Sequence, residues 1–475
     1  MQVEEERSPT SAEEREGTIL QLAVRVGAMM LASGAQTRDV ELAISRVAAG
    51  LGLSDVSAAV TFSTIAVSHG RPGHRPATLL HLVRDREADF SRLAAASHVA
   101  RAVGIGAMDA ADAERRLAQL DTARPSFRPS VVALAPGVSA AASTLLFGGT
   151  LLDVGVTLGI ALLVQPILAV IDRSDLPSFF RVAIGALASA LMTGVLVGIG
   201  LPLNGGLVLT GSLLRFLPGY ALVSGFRDLI DQSIISGTAR LAEALLLGAG
   251  VAGGTAAGLA FVEIFDVRLS IAVAGPSDWG LVVTAIAALV AVAAYAVRLG
   301  DPPSAVWLAS GLGALAWLPF QALAFPAGGV DPLVATFAIA VGVGMAGRIL
   351  ARRLKVPPAL WVVPAILPFL PGLQIVTAML ADSDVEQVVG LLGAATTAFA
   401  IGAGVASGDI LVMTVRRVRD EVIPSAIEAA AGRVDTLVVT PFERIIGRAS
   451  ARPQAVAAEK SPDRGEPDER GAAGS

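Results

Sequence analysis

Two Pro-Gly steps are the places where this chain could do chemistry. FLPG occurs at Phe216–Gly219 and again at Phe369–Gly372, each time inside an apolar stretch. A proline there removes a backbone hydrogen bond and the following glycine loosens the turn, so unwound backbone would offer free N–H and C=O groups to a small solute. Pro218, Gly219, Pro371 and Gly372 are therefore candidates for substrate binding or gating, with a packing kink as the plain alternative. Polar neighbours add to them: Arg215 just before the first FLPG, and Gln374 and Thr377 just after the second. Arg227, Asp228 and Asp231 follow the first break, while Arg240 and Glu243 share a helix face at i, i+3. Ionisable groups among apolar helices are costly and usually face a cavity or a partner. Asp228, Asp231 and Glu243 are thus candidates for coupling proton movement to transport, and Arg240–Glu243 reads equally as a mutually neutralising pair. Asp331, Asp382 and Asp409, at or near segment ends, read as interfacial.

Other chemistry finds little support. The chain has no cysteine, which excludes disulfides, thiolate metal sites and Cys nucleophiles. Its four histidines, His69, His74, His81 and His98, lack metal-ligand spacing and read as surface or strand-end residues. Neither GxxxxGK[ST] nor GxSxG occurs, so neither an ATP motor nor a serine-hydrolase elbow is indicated. No basic patch suggests nucleic acid. We expect no cofactor, no metal and no enzymatic activity.

The elements that must position the Pro-Gly steps are long and apolar. The chain is 475 residues, 53% hydrophobic and only 16% charged, against roughly 25% charged in soluble domains. The charge is concentrated in residues 1–130 and 415–475. The sequence predicts apolar segments at about 131–148, 151–171, 178–200, 206–223, 234–261, 280–298, 305–325, 332–350, 359–380 and 387–413, each near the length that spans a bilayer. FLPG recurs at a shift of 153 residues (216 to 369), and GAGVAGG at Gly248–Gly254 returns as GAGVASG at Gly402–Gly408, a shift of 154 (248 to 402). Two motifs recurring at one shift indicate an internal duplication. Its small-residue spacing points to close helix packing.

The expected fold is mainly α: a polytopic membrane protein of ten transmembrane helices in an inverted 5+5 repeat, preceded by a small cytosolic α+β domain. An odd number of spans per copy forces the two copies into opposite orientation, the plan typical of secondary transporters. Arg173, Arg227, Arg298, Arg348, Arg352, Arg353, Lys355, Arg416, Arg417 and Arg419 fall on one side, against Arg268 alone on the other. The positive-inside rule then places both termini in the cytoplasm. The domain reading is a disordered 1–16, a cytosolic α+β domain over 17–130, membrane repeats over 131–261 and 280–413 joined by a loop at 262–279, and a largely disordered tail over 414–475. Within the first domain we expect a helix to about Ala32, a second over Arg38–Leu51 capped by Thr37, three short strands (Val56–Phe62, Thr64–His69, Thr78–Arg84) and helices near Phe90–Val103 and Ala110–Leu120.

MLASGAQTRDVE (Met30–Glu41), FLPGYALVSGFRDLIDQSIISGTARLAEALL (Phe216–Leu246) and PAILPFLPG (Pro364–Gly372) resemble the threonine/serine exporter family of bacterial membrane proteins. The likeness runs in order over about residues 17–415. It implies a cytosolic domain joined to ten transmembrane helices in the plasma membrane, and proton-motive-force-driven export of L-threonine and L-serine. The partners so implied are a small amino acid, protons and the lipid bilayer, and a homo-oligomer stays open. Relatives associated with dicarboxylate export make that cargo the alternative. A membrane-anchored hydrolase or a sensor keeps the membrane part but moves the activity to residues 1–130.

Overall fold

The computed structural model describes residues 11–70, 76–84, 86–123, 125–174, 176–267, 269, 279–324, 329–379, 381 and 383–418. The expectations for residues 1–10, His74, Arg268, Asp382, Arg419, most of the 262–279 loop and most of the tail lie outside them. Among the described residues, those up to Val412 form one compact unit.

The chain opens with α1 (Ser11–Ala32) and α2 (Thr37–Gly50), then an antiparallel sheet β1 (Val56–Val60), β2 (Thr64–His69) and β3 (Ala77–Leu82) in the order β1-β2-β3. Ile65 and Val67 on the central strand are fully buried. His69 at the strand end is buried against Glu16, 2.5 Å away. α3 (Phe90–Gly104) and α4 (Ala110–Asp121) follow, each N-capped by an aspartate, Asp89 and Asp109. Thr37 is not the cap expected of it. Gln36 holds that position without a side-chain bond, and the Thr37 hydroxyl is buried with no hydrogen-bond partner.

Eight described helices are long and apolar enough to cross a bilayer: α5 (Pro129–Leu146), α6 (Leu151–Ile171), α7 (Ser178–Gly198), α10 (Ile234–Glu263), α11 (Leu281–Arg298), α12 (Pro303–Ala324), α13 (Pro332–Leu354) and α16 (Asp384–Arg417). The protein is a multi-pass membrane protein. A further apolar stretch is broken, as a bent span or a re-entrant loop: α8 (Gly205–Leu213), a 3-10 turn at Leu214–Phe216 and α9 (Gly219–Ile230) bend by 53°. The tenth expected segment, 359–380, exists as α14 (Ala359–Ala365), a 3-10 turn at Leu367–Phe369 and α15 (Gly372–Met379). None of these pieces alone reaches the roughly 20 residues of a straight span.

Both breaks are built alike. The residue before a proline is pushed out of the helical region. Accordingly Leu217 is extended at φ −72°, ψ 131°, and Leu370 at φ −60°, ψ 139°. The new helix then restarts with the same bond in each copy, Leu222 N–H to the Pro218 carbonyl and Ile375 N–H to the Pro371 carbonyl, both at 3.0 Å. The element order from α5 to α10 is repeated from α11 to α16. GAGVAGG and GAGVASG serve close approach, as expected. A Cβ on Gly254 would collide with the Ala183 carbonyl of α7, and one on Gly408 with the Val341 carbonyl of α13.

The N-terminal elements do not keep a core to themselves. Leu22, Ile44, Phe90 and Val103 belong to the same buried cluster as Val292, Leu299, Ala309 and Trp361 of the helical part.

Candidate functional site

The two Pro-Gly breaks meet. A Cβ on Gly219 would lie 3.0 Å from Leu370 Cδ1, and one on Gly372 would lie 3.1 Å from Leu217 Cδ1. Each glycine thus receives the leucine that precedes the other break's proline, and a side chain at either position would push the two breaks apart. Next to them, Ser139 of α5 donates to the Ala291 carbonyl of α11 at 3.0 Å.

A cavity of about 220 Å³ opens at this crossing, on the side of the N-terminal elements. Gly219 and Gly372 line it, with Arg215 and Arg298, Tyr220 and Tyr295, Ser139 and Ser143. Ala88, from the segment before α3, closes part of its wall. A second cavity of about 430 Å³ lies beyond the break and is lined by Pro371, Gln374, Gln321, Asp331, Thr336 and Thr397 against the aromatic rings of Trp317, Phe320 and Phe369. Leu370 borders both. Of the sequence candidates, Gly219, Gly372 and Arg215 share the first cavity, while Pro371 and Gln374 face the second. Pro218 is buried at its turn and borders neither. Thr377 also borders neither; its hydroxyl donates to the Gln374 carbonyl at 3.0 Å. Asp331 is exposed, and its side chain caps α13 by accepting from Leu333 N–H at 2.8 Å.

The charged candidates form a different group. Arg240 does not pair with Glu243. Its Nε lies 2.8 Å from Asp228 Oδ2, a contact of charges rather than an aligned hydrogen bond, with Arg240 and Asp228 only 4% and 1% exposed. A buried guanidinium needs a buried counter-charge. Glu243, with 43% of its side chain exposed, cannot supply one and instead faces Arg86 at 3.8 Å. Arg240 also donates to the Ala35 carbonyl at 3.1 Å, Tyr220 OH to the Gly34 carbonyl at 3.1 Å, and Arg38 lies 3.8 Å from Asp231. The two sequence stretches Met30–Glu41 and Phe216–Leu246 are therefore one interface. Asp409 is not interfacial as expected but buried, 2.9 Å from Arg227 and 3.4 Å from Arg348. It ties α9, α13 and α16 together.

Next to this network, burial pushes the Asp39 carboxyl up, against the pull of Arg227 and Arg348. Burial, then the charge of Arg240, pushes Arg86 down. The turn between α11 and α12 is a second docking point: Phe90 N–H donates to the Leu299 carbonyl at 2.9 Å and Ser91 N–H to the Gly300 carbonyl at 3.0 Å. Asp301 in that turn is fully buried, and neither of its carboxylate oxygens has a hydrogen-bond partner among the described residues. Burial, reinforced by Asp89, pushes its carboxyl up to about 8.

Sequence reasoning missed Arg298, counted only as a topology charge, and the cavity's two tyrosines. One signal was available: the whole chain has only two tyrosines, Tyr220 and Tyr295, and both line this cavity.

Comparison with known proteins identifies the family. A family model described as a threonine/serine exporter matches residues 21–262, and a second, also described as a threonine/serine exporter, matches residues 284–415. The chain is 27% identical over 410 residues to a threonine/serine exporter of Corynebacterium glutamicum, covering 84% of this chain and 83% of that one. It is 29% identical over 469 residues to a probable threonine/serine exporter of Mycobacterium tuberculosis, covering 93% and 86%. No solved structure matches it. These names point to a transporter rather than an enzyme, and the chain belongs to the threonine/serine exporter family.

Proposed function

We propose that this protein exports small amino acids, L-threonine and L-serine, from the cytoplasm across the plasma membrane, driven by inward proton movement. The observation that carries this reading is the crossing of the two Pro-Gly breaks between two cavities, with Leu370 bordering both. A solute held at the crossing reaches one side or the other by small movements of the halves about the breaks, which is alternating access in an inverted 5+5 repeat. The family names supply the cargo.

In this reading both termini are cytoplasmic and the N-terminal elements act as the cytoplasmic gate, because Ala88 walls the first cavity and Arg240 reaches the Ala35 carbonyl. Asp228 is the coupling candidate we favour. A proton on its carboxylate would weaken the hold on Arg240 and so loosen the gate. Asp231 and Glu243 face Arg38 and Arg86 across the same interface and act in support.

The test is efflux of labelled threonine from preloaded right-side-out vesicles, with and without a protonophore. Protonophore-sensitive efflux is expected in wild type and lost in Gly219→Leu and Gly372→Leu, with protein still in the membrane. Threonine efflux indifferent to the protonophore would remove the proton from the mechanism. Normal efflux in both variants would reduce the breaks to packing kinks.

A further inference from the structure

We infer that the first cavity holds its solute by a carboxylate, gripped between Arg215 and Arg298 at the N-termini of α9 and α15. The assignment rests on the export reading for which solute is carried, not for the charge that is recognised.

Four positive features converge there. Arg215 comes from the first broken crossing and Arg298 from the last turn of α11, and both line the cavity. Gly219 and Gly372, the first residues of α9 and α15, line it too, so two helix N-termini present first-turn amides to the same space. Neither guanidinium has a carboxylate within ion-pair distance among the described residues. Arg215 is held by neutral acceptors, the Gln165 side chain at 2.5 Å and the Ala161 carbonyl at 3.3 Å. The Arg298 guanidinium makes no hydrogen bond among the described residues, and its charge acts against that of Arg215.

Two like charges lining a small, partly open space beside apolar helices are unfavourable until an anion sits between them. The wall contains no acidic side chain to supply that charge. A carboxylate fits the donors, because a planar guanidinium presents paired N–H groups to its two oxygens. At about 220 Å³, below the roughly 300–1,000 Å³ of drug-sized pockets, the space suits a solute of few heavy atoms. Ser139 and Ser143 already donate to the Ala291 and Ser139 carbonyls, so their hydroxyl oxygens remain as acceptors for a solute hydroxyl or ammonium.

Arg298 is the cleaner residue to change, since it lines the cavity, is exposed, and forms no ion pair among the described residues. The experiment uses the full chain in vesicles, labelled threonine, and three unlabelled competitors: threonine, threoninamide and succinate. Threoninamide keeps the hydroxyl and the ammonium and lacks the carboxylate. In wild type it should compete roughly tenfold worse than threonine or more, as loss of a charge-assisted contact implies. Arg298→Gln should raise the apparent KM for threonine by a similar factor and narrow the gap between threonine and threoninamide, with Arg298→Lys in between. Equal competition by threoninamide in wild type, or an unchanged gap in Arg298→Gln, overturns the carboxylate grip while leaving threonine export standing. If wild type carries succinate and not threonine, and Arg298→Gln abolishes that, the grip stands and the amino-acid reading falls. If wild type carries neither solute, both fall.

Discussion

The two Pro-Gly stretches share a backbone geometry and differ in almost everything attached to it. Moving 153 residues along the chain, Arg215 becomes Pro368, Tyr220 becomes Leu373 and Asp228 becomes Ala381. Arg240, 154 residues from its counterpart, becomes Ala394. The first copy carries the charges and holds the N-terminal elements through Tyr220, Asp231 and Arg240. The second carries extra prolines, neutral polar groups and shorter helical pieces, and faces the larger cavity with Gln374. The Pro-Gly geometry is common to both stretches, whereas the charges beside it are not. Both copies hold the N-terminal elements, the first through side chains on α9 and α10 and the second through the backbone of the turn after α11.

The largest effect should come from unbalancing the charged copy. Asp228→Asn leaves Arg240 buried without its counter-charge, an expected loss of about 3–5 kcal/mol, read as a lower melting temperature in detergent and as new protease sensitivity around residues 33–41. Asp228→Leu combined with Arg240→Met should recover much of the stability but not proton-coupled efflux. Recovery of both would end the coupling role assigned to Asp228.

The hinge shared by both copies comes next. Gly372→Leu and Gly219→Leu overpack the crossing by about 1–3 kcal/mol each, while stopping threonine efflux. If only one of them stops transport, the breaks are not equivalent hinges.

Asp301 gives a pH signature that the second copy's own break lacks. Its folded value of about 8 lies above the ordinary aspartate value, so the folded state takes up the proton more readily than the unfolded chain. Its stabilising contribution is complete below about pH 4 and is lost as pH rises toward 8, with a slope of up to about 1.4 kcal/mol per pH unit. Asp301→Asn should flatten that slope and be more stable than wild type at pH 8. An unchanged slope would assign the pH dependence to other groups such as Asp39.

The smallest effect is expected at the rim. Glu243 is 43% exposed at 3.8 Å from Arg86, so Glu243→Gln should change stability by less than about 1 kcal/mol, and less still in high salt.

The apolar lengths, the duplicated FLPG and GAGVA motifs and the strand-rich insert between helices were legible because each is a local pattern along the chain. Helix and strand periods report burial one element at a time, and a proline removes a hydrogen bond wherever it stands. The partners of charged side chains were not legible. Arg240 and Glu243 sit three residues apart, yet burial separates them, and Asp228 of the neighbouring helix claims the guanidinium.

The sequence by itself determined that this is a multi-pass membrane protein of helices with two repeated Pro-Gly breaks, and the residues of its family likeness. The tertiary structure alone decided that the breaks cross, that Arg215 and Arg298 share a cavity, and that the loop at Gly34–Ala35 closes on α9 and α10. Those contacts join residues dozens to hundreds of positions apart. Whether a polar group there is costly or useful depends on what packs opposite it, which no local pattern contains.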